Sequence, residues 1–225
     1  MLKHNTNSTD FIDQRCTMKS FKTFLTSAFL AATAGALSFS ATANVLVNGG
    51  FENPNVNSGS WQYFSASDVD GWNGSNIEIW NNLNNVSAFE GNQFAELNSH
   101  PGTGQAFTIF QDFSTVQGQT YNVSFAYRAR SNNNEAFQAD IRGLTNLESW
   151  LIDDHTTSQW STFSSSFVAD STLSSIAFTT IVPSTGTVGN FIDDVKVSAV
   201  AEPATLALLG LGIASLGFTR RKLNK

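Results

Sequence analysis

Between Asn44 and Val200, apolar residues recur at every second position, in short runs separated by Asn, Gly and Ser clusters. Period-two alternation of this length is the pattern of half-buried strands. It predicts strands over Phe94–Leu97, Thr108–Asp112, Tyr121–Arg130, Ala136–Gly143, Thr162–Phe167, Ser175–Ile181 and Phe191–Ser198. In Tyr121–Arg130, the residues Tyr121, Val123, Phe125 and Tyr127 share one face, and Asn122, Ser124, Ala126 and Arg128 the other. The run I-E-I-W at 77–80 alternates too, placing Glu78 and Trp80 together on its inward face. Neither helical periodicity nor an internal repeat is visible in this region. The fold class is therefore all-β: a two-sheet antiparallel β-sandwich of Greek-key or jelly-roll type, its strand order not legible from the pattern.

Outside this region the hydropathy pattern changes character. From Met18, Lys19 and Lys22 precede an apolar stretch, Phe24 to Leu37, and Ala41-Thr42-Ala43 forms an A-x-A site. This is the three-part layout of a secretory signal, cleaved after Ala43. Residues 1–17 are polar and read as an extension from a misplaced start. At the other end, residues 201–225 hold Glu202-Pro203, an uncharged run from Ala204 to Phe218, and Arg220-Arg221-Lys222. As a helix, that run would reach about 22 Å, short of the ~30 Å hydrocarbon core of a bilayer. The basic cluster would stay cytoplasmic by the positive-inside rule, with 204–218 meeting the inner membrane transiently, the alternative being an ordinary single-span anchor in a thinned bilayer.

Charge sharpens the division. Residues 44–200 carry four basic residues (Arg128, Arg130, Arg142 and Lys196) against fifteen acidic ones, a net −11. So acidic a body excludes nucleic acid as a partner, since phosphate neutralisation needs clustered Lys and Arg. The one cysteine, Cys16, precedes the signal, so the exported domain has no disulfide, thiol nucleophile or Cys-based zinc site.

The ordered arrangement of Glu202-Pro203, a short Gly-interrupted apolar run and a basic tail resembles the PEP-CTERM sorting signal of Gram-negative bacteria. The family's usual V-P-E-P keeps only its last two residues here, in Val200-Ala201-Glu202-Pro203. The resemblance implies recognition by an exosortase, a membrane transpeptidase-like enzyme. It also implies association with exopolysaccharide production and a final place in the cell envelope, on the outer surface or in the extracellular matrix. The middle region resembles the galactose-binding-like β-sandwich of carbohydrate-binding modules, and the DUF642 type of cell-wall protein in particular. The residues that carry this likeness are V-N-G-G-F-E-N-P at 47–54, V-D-G-W at 69–72, I-E-I-W at 77–80, G-N-Q-F-A-E-L at 91–97, the run 109–125 and F-I-D-D-V-K-V at 191–197.

That resemblance implies a structural Ca2+ tying the N-terminal loop to the last strand, at Glu52 and Asp193. Alternation in 191–197 places Asp193 with Phe191, Val195 and Val197 on an apolar face, where an ionised carboxylate needs a partner. For a ligand, Arg128 and Arg130 lie on the polar side of one strand, with Gln138, Asp140 and Arg142 on the next. If those strands pair as a meander, three of the four basic residues share a surface with Asp140, planar donors and acceptors suited to sugar hydroxyls. The alternative is an ordinary Arg–Asp pair on a solvated sheet. Trp72 and Trp80 read as core, whereas Trp61, Tyr63, Trp150 and Trp160 lie in polar surroundings and are candidate aromatic platforms.

Catalytic motifs are missing: there is no G-x-S-x-G, H-E-x-x-H or Walker A sequence. Gly102-Thr103-Gly104 lacks a dinucleotide context, and Asp153-Asp154-His155 reads as a polar turn. The expectation is an exported protein, not an enzyme, that binds carbohydrate or exopolysaccharide matrix. The alternatives are a structural surface or matrix protein without a discrete site, and a small polysaccharide-active enzyme.

Overall fold

The computed structural model describes residues 43–201 together with Gly212. The signal segment up to Thr42 lies outside the described residues, as do Glu202, Pro203, Arg220, Arg221, Lys222 and the run 204–218 apart from Gly212. Among the described residues, no helix is long and apolar enough to cross a membrane.

Alternation drives the chain into strands: β1 (Ser60–Phe64), β2 (Asn73–Gly74), β3 (Ile77–Asn81), β4 (Gln93–Glu96), β5 (Thr108–Ser114), β6 (Thr120–Arg128), β7 (Ala136–Arg142), β8 (Asn146–Ile152), β9 (Ser161–Val168), β10 (Leu173–Val182) and β11 (Phe191–Ala199). They form two antiparallel sheets, ordered β1-β3-β4-β11-β6-β9 and β2-β5-β10-β7-β8. The longer strands turn an apolar face toward the other sheet, as a sandwich requires. Tyr121, Val123, Phe125 and Tyr127 of β6 meet Ile109 and Phe113 of β5, Phe137 and Ile141 of β7, and Ile176 and Phe178 of β10 in one core. Phe125, Phe137 and Phe178 pack mutually with centroids 5.2–5.9 Å apart. Edge and tilted ring contacts of this kind add about 0.5–1.5 kcal/mol per pair beyond burial.

The expected alternation along 191–197 breaks within β11. Asp194 adopts φ 51° and the pairing with β6 shifts register between Asp193 and Lys196. This bulge changes the phase of the strand. Ile192, Val195 and Val197 enter the inter-sheet core, whereas Phe191 joins a second, smaller cluster with Trp80 and Phe94. Asp193 therefore does not share a face with Val195 and Val197.

Topology also overturns the supposed meander. β6 lies in the six-stranded sheet and β7 in the five-stranded one, so Arg128 and Arg130 do not share a surface with Asp140 and Arg142. The connection from Ser131 to Glu135 crosses between sheets, with Glu135 accepting the N–H groups of Arg130, Ser131 and Asn132.

Candidate functional site

The register of the six-stranded sheet builds two rows on its outer face. Tyr63 pairs with Glu78, Glu78 with Glu96, Glu96 with Phe191, and Phe191 with Arg128. In the next row Trp61 pairs with Trp80, and Trp80 with Phe94. Because β3 and β4 send Ile77, Ile79 and Ala95 into the core, Glu78, Trp80, Phe94 and Glu96 must point the other way. They are nonetheless buried. The loop 82–92 folds over Trp80, Phe94 and Phe191, bringing Leu83, Val86 and Ala88 onto them.

Three groups hold that loop down. Asp193 Oδ2 accepts the N–H groups of Phe89 (2.8 Å) and Glu90 (3.0 Å). Glu52 Oε1 accepts those of Asn92 (2.7 Å) and Gln93 (2.9 Å). The indole of Trp160 donates to Ser87 O and packs edge-on against Phe94 and Phe89.

Beside this aromatic cluster lies a polar one. Glu78 is fully buried; its Oε1 accepts the indole N–H of Trp80 and its Oε2 bonds His100 Nδ1, both at 2.8 Å. The His100 ring stacks on Trp61 with centroids 5.0 Å apart. Glu96, also fully buried, takes two 2.6 Å contacts from Arg130 Nη1 and one from Gly189 N–H at 2.8 Å. The guanidinium lies 4.6 Å from the Trp80 ring centroid, a cation–π contact. Burial is the largest influence on Glu96 and raises its carboxyl to about 9; Glu78 pushes the same way, and Arg130 opposes. Trp61 and Tyr63 remain 39% and 47% exposed on the edge strand β1. The result is an exposed aromatic edge with His100 stacked on Trp61 and Arg130 over the adjacent Trp80, the histidine and the arginine each fixed by a buried acid.

The other residues singled out from the sequence are dispersed. Arg128 donates to Thr157 O from Nη2, and its Nε is buried without a partner. On the opposite sheet, Asp140 pairs with Arg142 at 2.8 Å and accepts Ser149 Oγ at 2.6 Å. This is the ordinary ion pair weighed as the alternative. Trp150 is half-buried rather than an open platform, because it points inward onto Phe163, 5.0 Å away. Trp160 likewise serves as a clamp on the covering loop. Asp153-Asp154-His155 is not simply a polar turn. His155 is buried, its Nε2 bonded to Asn190 Oδ1 at 2.8 Å and its Nδ1 without a partner, and burial lowers its pKa.

At the expected cation positions, Asp193 is buried and its carboxyl is pushed up to about 7, mainly by burial. A Cβ added at Gly50 would lie 2.8 Å from Glu90 Oε2 and 3.8 Å from Asp193 Oδ1. The missing side chain thus leaves a cradle faced by two carboxylates, and oxygen donors of this kind fit a hard cation. Glu52 spends Oε1 on backbone amides, and among the described residues no group of three His, Cys, Asp or Glu side chains stands ready to hold a metal. Sequence reasoning missed Glu90, His100 and Glu96. Glu78 was visible through its alternation with Trp80, but its face is the sheet's outer one.

Comparison with known proteins adds two findings. Residues 199–222 match the PEP-CTERM protein-sorting motif, which marks an exported protein sorted to the cell envelope. No curated protein matches the chain. A Stig cyclase from Fischerella sp. TAU has a similar fold, with TM-score 0.55 and 15% identity over 73% of this chain and 100% of that one. Another structure of a cyclase from Fischerella sp. TAU gives TM-score 0.52 and 15% identity over 72% and 100%. The carbohydrate-binding module TmCBM61, in complex with β-1,4-galactotriose, gives 0.47 and 17% over 71% and 100%. The two-sheet sandwich is thus a fold shared with the Fischerella cyclases.

The cyclases correct the expectation that the chain is not an enzyme. That expectation rested on missing sequence motifs. A sandwich assembles sites across strands distant in the chain, as the Glu78–His100 contact illustrates, so it needs no contiguous motif. Fold does not decide function.

Proposed function

We propose that this exported protein is sorted by an exosortase-type enzyme to the envelope of a Gram-negative bacterium, reaching its outer surface or extracellular matrix. There its sandwich binds carbohydrate or exopolysaccharide matrix on the outer face of the six-stranded sheet. The observation that carries this reading is the pair of exposed aromatics, Trp61 and Tyr63, with His100 stacked on Trp61 and Arg130 over Trp80 of the neighbouring strand. A sugar ring needs an apolar platform for its C–H face and planar hydrogen-bonding groups for its hydroxyl edge. Arg130, pinned through Nη1, and His100, pinned through Nδ1, offer such groups without reordering on binding. A Ca2+ ion in the Gly50 cradle would be held by Asp193 and Glu90, with Glu52 bracing the loop beside it; it would lock the covering loop to the last strand.

The test is binding of the purified chain to a glycan array that includes the producer's own exopolysaccharide, with calcium present. Saturable binding is expected, weakened about 10- to 100-fold by combined Trp61→Ala and Tyr63→Ala, the equivalent of about 1–3 kcal/mol, and unchanged by Arg142→Ala. Binding indifferent to the aromatic pair would overturn the assignment of the face. Failure to bind any glycan would leave a structural matrix protein as the reading.

The Glu78–His100 contact favours a second reading, in which the same face acts on the glycan. A carboxylate that holds Nδ1 orients the imidazole for proton transfer at Nε2. Release of reducing ends from a polysaccharide panel, lost on His100→Ala, would support it; no release on any substrate would count against it.

A further inference from the structure

The turns joining β5 to β6, β7 to β8 and β9 to β10 are laced together at one end of the sandwich. Thr115 N–H donates to Thr172 O (3.0 Å) and Gly118 N–H to Ala169 O (2.8 Å). Asp170 accepts the N–H groups of Leu144 (2.9 Å) and Thr145 (3.0 Å). Gly143 sits so close that a Cβ there would lie 2.0 Å from Asp170 Oδ1, so the lacing requires glycine. At the tips stand Leu144, Val116 and Leu173, 80%, 65% and 57% exposed: the three most exposed large hydrophobics among the described residues.

The three turns, residues 115–119, 143–145 and 169–172, contain a single charged residue, Asp170, in a domain of net −11. Its charge is taken up by backbone amides, which hold its pKa below the ordinary aspartate value. Behind the turns the strands carry Asp112 and Arg142, but aliphatic tips on turns with one charge between them mark a contact surface rather than a solvated one.

The chain leaves the sandwich at this same end. Val200 N–H donates to Thr120 O (2.8 Å), and Gln119 Nε2 donates to Val200 O (2.7 Å), directly beside the 115–119 turn. Three residues after Ala201 comes the start of the uncharged run Ala204–Phe218, with Arg220-Arg221-Lys222 beyond it. Three residues of extended chain span at most about 10 Å.

We propose that this end of the sandwich rests on the lipid surface of the membrane that holds residues 204–218, with Val116, Leu144 and Leu173 entering the bilayer interface until the sorting segment is processed. The inference rests on the sorting-signal reading above. Three aliphatic side chains bind a bilayer weakly by themselves. A tether of about 10 Å keeps them at the surface, where their local concentration compensates for that weakness. The contact would also fix the orientation of the domain, keeping its acidic body away from the lipid.

The test uses the full chain in vesicles of phosphatidylethanolamine and phosphatidylglycerol, carrying Cys16→Ser and a single introduced cysteine labelled with an environment-sensitive fluorophore. The positions are Val116→Cys, Leu144→Cys and Leu173→Cys at the tips, Leu151→Cys on the far face of the five-stranded sheet, and Gly210→Cys within the apolar run. Tip labels are expected to shift to the blue and to be quenched by lipids spin-labelled near the headgroup, while the Leu151 label does neither. Water-like tips with a lipid-buried Gly210 label would overturn the docking and leave the sorting reading intact. A water-like label at Gly210 as well would overturn both. Blue-shifted tips that spin-labelled lipid does not quench would show protein, not lipid, covering them, and would also overturn the proposal.

Discussion

Glu96 offers the sharpest test of how the polar cluster is held. Its carboxyl is fully buried against Arg130 and Gly189, with Glu78 as its cross-strand neighbour. Burial raises its pKa from 4.5 to about 9. The folded state therefore keeps a proton that the unfolded chain gives up above pH 4.5. The stability contributed by this group is fully present below 4.5 and declines as pH rises toward 9, by at most about 1.4 kcal/mol per pH unit. Glu96→Gln mimics the protonated acid at every pH. Its amide nitrogen cannot accept the second Arg130 contact, which costs about 1 kcal/mol. At pH 5 the variant should be slightly less stable than the parent. By pH 8 the order should reverse, because the difference between the two changes by about 4 kcal/mol across that interval. Urea denaturation of both proteins from pH 5 to 9 measures this. A difference that stays constant with pH, or a variant about 3–5 kcal/mol less stable throughout, would mean that Glu96 and Arg130 form a fully ionised buried pair, and the reasoning would fail.

Calcium should raise the melting temperature, by the equivalent of about 2.7 kcal/mol at a hundredfold excess over its dissociation constant. The effect should grow as pH rises through about 7, where Asp193 gives up its proton and stops competing with the ion. Thermal melts with calcium or a chelator check this, and an undiminished shift in Asp193→Ala would refute the site. Phe94→Ala empties the centre of the outer aromatic cluster, where Phe94 lies 4.8 Å from Phe191 and 5.4 Å from Trp160. It should cost about 3–5 kcal/mol in chemical denaturation; a loss below 1 kcal/mol would mean the covering loop is not packed as described.

What the sequence disclosed follows from period two. The seven strands expected over 94–198 all form, with ends displaced by only a few residues, because alternation is a local property. β8 escaped notice: Asn146–Ile152 is an edge strand whose residues are mostly half-exposed, so its alternation is weak. The bulge at Asp194 was invisible for a different reason. A left-handed backbone at an aspartate leaves no mark on a hydropathy pattern, yet it decides which face Val195 and Val197 take. Topology explains the larger error. Arg130 and Arg142 are twelve positions apart and looked like neighbours on adjacent strands. Whether the chain turns back or crosses to the other sheet after Arg130 depends on Glu135 gathering three backbone amides, a contact no pattern announces. The candidate site was legible only in pieces: Trp61, Tyr63 and Arg130 were chosen for their residue types, whereas Glu96 and His100 come together through registers that only folding sets.

Those registers bury two carboxylates side by side, a costly arrangement. Apolar residues of similar volume in place of Glu78, Glu96 and Arg130 would fold as well or better, since buried polar and charged clusters seldom exceed hydrophobic packing in stability. Two residues along the same strands, the same outer face is covered with Trp80 and Phe94, joined by Phe191 of β11, under an apolar loop, so the sheet is compatible with the apolar solution. The polar solution stands where the cover ends, next to the exposed edge strand. There Glu78 fixes one ring nitrogen of His100, and Glu96 fixes one guanidinium nitrogen of Arg130. Each buried acid thus holds a partly exposed group in a set direction, His100 beside Trp61 and Arg130 over Trp80. Stability does not require such an arrangement, whereas presenting rigid donors beside an aromatic surface does, which supports the proposed ligand face over the solvated Asp140–Arg142 pair.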